Sequence, residues 1–227
     1  MTNHYNLQPP TAPVGLERGV NPDQPAARTG PMITSLQHAN ANRITGNLWI
    51  GGDLETTYPT LARIQLDELD AAGLSDIIDC RIEWNDHDWV SATKPHIGYL
   101  WLGVDDAGQR MRDAWFETGT RHTLARLAAG GTVLTHCHMG INRGPSMGFA
   151  ALLALGWDPI DALDRIRQRR PIANVAYAED ALDWWLRKQD ASRHERREGR
   201  ARILHWRRRN HLNVTGIIRR IRQRESA

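Results

Sequence analysis

The chain has 227 residues, 41% hydrophobic and 24% charged, a composition that can bury a core and excludes a wholly disordered chain. Two cysteines are too few for a disulfide-stapled secreted fold, and the longest nearly uncharged apolar stretch, residues 147–157, is too short to span a bilayer. Knottins, collagens, coiled coils and membrane-spanning helical proteins are thereby excluded. The net charge of +3 is uneven: residues 189–227 hold twelve arginines against four acids, a local +8 that leaves −5 for the remainder. That asymmetry predicts either an anionic partner for the tail (an acidic protein, a nucleic acid or a membrane surface) or a merely solvated helix. No basic segment followed by an apolar one opens the chain, so a signal peptide is not expected and the setting is read as cytoplasmic.

In chain order, residues 1–42 hold six of the eleven prolines and read as a mobile arm. Order is expected from Arg43 onwards, first as a strand over 44–50 ended by Gly51-Gly52. Leu61, Ile64, Leu66 and Leu69 give a helix over 61–72, stopped by Gly73. Residues 75–80 read as a strand, 81–88 as a charged loop and 99–104 as a second strand. A helix over 110–129 is closed by Gly130-Gly131, and 132–135 is a buried-type strand. Very apolar residues predict a helix over 144–155. Asp158-Pro159 caps the next one, which runs to Arg169. A last core helix spans 178–188, with Leu182, Trp185 and Leu186 as its stripe. Strands separated by helices predict an α/β fold with a mainly parallel central sheet flanked by helices. Three regions follow: the arm 1–42, a catalytic domain 43–188, and an Arg-rich helical tail 189–227. In the tail, residues 193–209 read as a charged helix. Beyond a break at 210–213, Ile217, Ile218 and Ile221 share a second helix face opposite Arg219, Arg220, Arg222 and Arg224.

The chemistry concentrates in Thr135-His136-Cys137-His138-Met139-Gly140-Ile141-Asn142-Arg143-Gly144-Pro145-Ser146. A buried strand delivers a cysteine, and a helix starts at the arginine. Successive N–H groups of a loop entering a helix N-terminus form a concave anion site, reinforced by the helix dipole. A cysteine in that cradle is favoured as a thiolate nucleophile. His138, Met139, Gly140, Ile141 and Asn142 would wrap the anion, Gly140 allowing the tight path. Arg143 can hold two phosphoryl oxygens in its planar fork. His136 is expected to orient the loop, while His138 faces its mouth. Ten histidines and two cysteines show no zinc-ligand spacing, and Cys80 is remote from Cys137 in sequence, so no metal or other cofactor is expected.

These residues resemble the cysteine-dependent protein tyrosine phosphatases, specifically the small dual-specificity branch, whose His-Cys-x5-Arg signature matches residues 136–143. Gly46-Asn-Leu-Trp-Ile-Gly51, Leu74 to Cys80 and Arg169-Arg-Pro-Ile172 resemble the family's opening strand, its next strand and the segment closing the helix after the catalytic loop. The resemblance implies hydrolysis of phosphate monoesters on phosphorylated protein substrates through a phosphocysteine intermediate. It also implies an aspartate proton donor between the strand begun by Tyr99 and the aromatic pair Trp115-Phe116. Asp106 falls at that place, with Asp105 as its competitor. One departure stands out. The family carries Ser or Thr directly after the arginine, where its hydroxyl helps the thiolate leave; here the residue is Gly144, and Ser146 is the next hydroxyl. Two alternatives stay open: an RNA 5′-triphosphatase of the same superfamily, which manages without the aspartate, and a non-catalytic phosphate-binding module.

Overall fold

A computed structural model describes residues 36–225. The expected arm therefore lies outside the described residues up to position 35, but its last part does not. Strand β1 (Ala41–Arg43) pairs antiparallel with β2 (Leu48–Gly51). Residues 36–42 thus belong to the folded body, and order begins before Arg43. Glu68 accepts the backbone N–H groups of Gln37, His38 and Ala39, which anchors this stretch. The strand expected over 44–50 starts later, because Ile44 and Thr45 turn and donate their N–H groups to Leu48 O.

The remaining elements follow as α1 (Pro59–Ala71), β3 (Asp76–Arg81), α2 (His87–Thr93), β4 (Gly98–Val104), α3 (Asp113–Ala128), β5 (Val133–His136), α4 (Arg143–Ala154), α5 (Pro159–Arg169), α6 (Ala178–Lys188), α7 (Arg193–Arg209) and α8 (Val214–Glu225). The sheet order is β1-β2-β5-β3-β4, parallel from β2 to β4. This is the mainly parallel α/β fold expected from the sequence.

Alternation along the strands divides the core into two layers. Leu48, Ile50, Ile78, Cys80 and Val133 face one cluster with Phe116, Met147, Phe149 and Ile166, on the α3–α7 side. Trp49, Ile77 and Leu134 face the other, where α1 supplies Leu66 and Leu69 and α2 supplies Val90. The buried face of α1 is Ala62, Gln65, Leu66 and Leu69, while Ile64 of the expected stripe is exposed. Central β5 lies between β2 and β3 and ends at His136, so its carboxyl end opens where neighbouring loops diverge, the usual place for a ligand in an open α/β sheet.

The tail is not a separate appendage. Ser192 and Glu195 form a capping box that starts α7. Helix α7 then packs along α6 and α5, putting Ile203 and Trp206 into the main core. Arg202 and Arg207 are consumed by ion pairs with Asp158 and Glu179. By contrast, α8 contributes no residue to either core cluster. Among the described residues, no helix is long and apolar enough to cross a membrane, and no group of three or more His, Cys, Asp or Glu could hold a metal.

Candidate active site

Residues 137–142 form the loop between β5 and α4, with Cys137 buried at its base. Its outer side is tied down by carbonyls. Arg170 donates from Nε to Gly140 O (2.7 Å) and from Nη2 to Met139 O (3.0 Å). Ile141 O accepts the N–H groups of Asn174 (2.8 Å) and Val175 (3.2 Å). The N–H groups of Met139, Gly140, Ile141 and Asn142 have no acceptor among the described residues. Gly140 has φ +63°, and a Cβ there would meet Arg170 Nη2 at 2.1 Å and Gly51 O at 2.5 Å, so only glycine fits this path. Carbonyls held outward and amides without acceptors are what an anion cradle requires.

Arg143, the first residue of α4, is buried, with its fork fixed from one end by Glu83. Nη1 and Nη2 each donate to a Glu83 oxygen at 2.8 Å, and Nη1 also donates to Val104 O. Its Nε is buried with no hydrogen-bond partner, leaving one side of the fork for a ligand oxygen. Burial works against the arginine's charge, but Glu83 outweighs it and raises the pKa. The hydrogen bonds from Arg143 in turn hold the Glu83 carboxyl down at about 2.

Asp106 follows β4 and lies beside this fork, Oδ2 standing 3.8 Å from Arg143 Nε. Tyr177 donates its hydroxyl to Asp106 Oδ1 (2.8 Å), and Asn142 of the loop donates to Oδ2 (3.2 Å). Asp105 instead accepts the Asp106 N–H, a local contact outside the cradle. Burial and the Asp106 contact together push the Tyr177 hydroxyl pKa up.

The two loop histidines differ. His136 is buried under the loop, with Nε2 3.6 Å from Asp79. Burial pushes its pKa down to about 4, so the ring is neutral at ordinary pH. His138 is half-buried, pairs through Nδ1 with Asp53 at 2.7 Å and meets Trp84 edge-on. Ser146, the next hydroxyl, is fully buried and accepts the N–H of Tyr177 at 3.1 Å. There is no room for a side chain at Gly144, where a Cβ would meet His136 Cα and C at 2.8 Å and Cys137 N at 3.0 Å.

The structure thus brings Cys137, the loop amides, Arg143 and Asp106 to one place. It adds Glu83, Arg170, Asn174 and Tyr177, which sequence reasoning did not single out. No short motif links these four to the loop; only the Arg169-Arg170-Pro171 segment drew notice, and for its place in the chain.

No family model and no curated protein matches the sequence. Solved structures do match. Human DUSP28 is 19% identical with a TM-score of 0.54, over 66% of this chain and 95% of that one. PTPMT1 in complex with PI(5)P is 20% identical with a TM-score of 0.53, over 66% and 97%. A human tyrosine phosphatase-like serine/threonine/tyrosine-interacting protein is 18% identical with a TM-score of 0.52, over 66% and 97%. The chain therefore has the fold of these protein tyrosine phosphatase-like structures. About a third of it extends beyond what these neighbours match.

Proposed function

We propose that the protein is a phosphatase that hydrolyses phosphate monoesters, phosphotyrosine and phosphoserine or phosphothreonine on proteins, through a phosphocysteine intermediate. The observation that carries this reading is the cradle itself: loop amides after Cys137 without acceptors among the described residues, beside an Arg143 Nε that makes no hydrogen bond there. In the first step the Cys137 sulfur attacks phosphorus, an S–P bond forms and the ester O–P bond breaks. Asp106 gives its proton to the leaving oxygen. In the second, Asp106 takes a proton from water as that water attacks phosphorus, and the S–P bond breaks to release phosphate. Arg143 and the loop amides stabilise the equatorial oxygens throughout.

Asp106, held by Tyr177 and Asn142 beside the fork, favours a monoester phosphatase over a 5′-triphosphatase, which by resemblance needs no such acid. Intact Cys137 and Arg143 favour an enzyme over a binding module. A substrate panel tests the reading: phosphotyrosine peptide, phosphoserine peptide, phosphoinositide and triphosphate-ended RNA. Release from phosphopeptide is expected, with Cys137→Ser abolishing turnover yet still binding phosphate. Arg143→Lys fails too, since an ammonium lacks the planar fork. Release from triphosphate-ended RNA alone, or full turnover in either variant, overturns the assignment. For the tail, an anionic partner falls to Arg208, Arg209, Arg219 and Arg220, exposed and without ion pairs among the described residues. Salt-sensitive binding to such a partner that survives deletion beyond Asn213 would relieve α8 of that role.

A further inference from the structure

Arg207 sits near the end of α7, in the part of the chain that opened as a basic tail, yet it reaches the back of the candidate site. Nε and Nη2 form a two-point pair with Glu179 at 2.9 and 2.8 Å. Nη1 also donates to Asn174 O (3.2 Å), and Nη2 to Val175 O (2.8 Å) and Ala176 O (3.1 Å). One guanidinium thus gathers three consecutive carbonyls. The turn they belong to is strained: Val175, buried and β-branched, has φ +52°, a conformation that such a residue avoids unless its surroundings impose it.

The same turn is the outer wall of the phosphate loop. The N–H groups of Asn174 and Val175 hold Ile141 O, and Asn174 Nδ2 donates to Asn142 Oδ1 (3.1 Å). The next residue, Tyr177, donates its N–H to Ser146 and its hydroxyl to Asp106. Arg167 reinforces the arrangement by donating to Ala173 O and to Asn210 O, with its guanidinium 5.1 Å from the Trp206 ring.

We propose that α7 completes the candidate active site, and that Arg207 is a positioning residue which holds the strained 174–176 turn against the phosphate loop. The clamp is built from the extension, not from the part of the fold that ends with α6. Its turnover readout rests on the phosphatase reading, whereas its binding readout needs only inorganic phosphate.

The test compares Arg207→Gln, Arg207→Lys, Val175→Gly and the Arg207→Gln/Val175→Gly pair in the full chain. Calorimetry gives phosphate affinity, p-nitrophenyl phosphate gives kcat and KM, and thermal melting reports stability. Arg207→Gln should weaken phosphate binding about tenfold, the loss of roughly one charge-assisted hydrogen bond's worth of positioning. Arg207→Lys keeps a charge for Glu179 and a near-normal melt but cannot span the three carbonyls, so its affinity falls as far. Glu198→Gln, at an exposed position of the same helix, should change nothing. Glycine adopts φ +52° without strain, so on the Val175→Gly background the Arg207→Gln loss should shrink to within about threefold. Wild-type phosphate affinity in Arg207→Gln, or an undiminished loss in the pair, overturns the proposal. A wild type that binds phosphate but turns over no phosphomonoester defeats the phosphatase reading, and the affinity series then still decides the clamp.

Discussion

Gly144 shows how one residue departs from the dual-specificity pattern for a steric reason. The first turn of α4 passes so close to the backbone of His136 and Cys137 that a serine Cβ has no space. Restoring the hydroxyl by Gly144→Ser should therefore overpack the loop, costing about 1–3 kcal/mol of stability and lowering turnover. Thermal melts and steady-state rates check it; faster phosphoenzyme breakdown at unchanged stability would mean that the loop relaxes to admit the side chain. His136 gives a second residue-scale prediction. Its folded pKa of about 4 lies below the ordinary histidine value, so the unfolded chain takes up a proton that the folded one refuses. The stability it leaves intact above about pH 6.5 is lost progressively as pH falls toward 4, on the order of 3 kcal/mol in all. His136→Gln should flatten that limb in pH-dependent unfolding; an unchanged limb would place its origin elsewhere.

At the same scale, the proposed nucleophile and clamp were legible because their chemistry is contiguous: strand, cysteine, glycine, arginine and helix follow one another within a dozen positions. Glu83 and Tyr177 were not, since each meets the site only through the fold. Glu83 lies in the stretch read as a charged loop, where nothing distinguishes it from Asp86 or Asp88. Tyr177 follows the short, mostly apolar run Ile172-Ala-Asn-Val-Ala176, which gives no sign of the positive-φ turn bringing its hydroxyl to Asp106.

Among the elements, long periodic helices and apolar strands were readable, and two short ones were not. Helix α2 has seven residues and buries only Val90, too little for a period to register. Strand β1, Ala-Asn-Arg, has no β-branched or aromatic residue; pairing with β2 and the grip of Arg170 on Asn40 and Asn42 make it a strand. Arg170 is buried without a carboxylate partner among the described residues, and burial lowers its pKa to about 10. Through it, β1 and the phosphate loop share one cation. Of the two acids after β4, Asp106 is held across the candidate site by Tyr177 and Asn142, whereas Asp105 accepts the N–H of its neighbour. Asp106→Asn should lower kcat on phosphotyrosine peptide by about 10²–10⁴ and by much less on p-nitrophenyl phosphate, whose leaving group needs little protonation. A larger loss in Asp105→Asn on the peptide would transfer the role to that residue.

For the whole molecule, the question is where the folded unit ends. Composition drew a boundary at residue 188, because charge changes sign there. Packing draws it later. Ile203 and Trp206 are embedded in the main core, Trp206 Nε1 donates to Asp164 at 2.6 Å, and Gly199 lets α7 lie close against Leu182 and Leu186. Six of the twelve arginines that gave the segment its tail-like composition, Arg193, Arg197, Arg200, Arg202, Arg208 and Arg209, lie exposed on the same helix. Truncation after Lys188 therefore strips an apolar layer from α5 and α6. Burying an isoleucine is worth about 1.5–3 kcal/mol, and truncating a buried tryptophan costs about 3–5 kcal/mol, so the loss should exceed 4 kcal/mol. At roughly 2–4 °C per kcal/mol for a chain of this size, that is a fall in Tm of more than about 10 °C. Truncation after Asn213 removes only α8, whose one buried side chain among the described residues, Ile217, belongs to neither core cluster, and should lower Tm by no more than about 6 °C, roughly 1.5 kcal/mol at 2–4 °C each. Parallel thermal melts of the two truncations decide it. Equal, unshifted melts would return α7 to the status of an appended tail. A large drop in both would make α8 part of the folded unit as well.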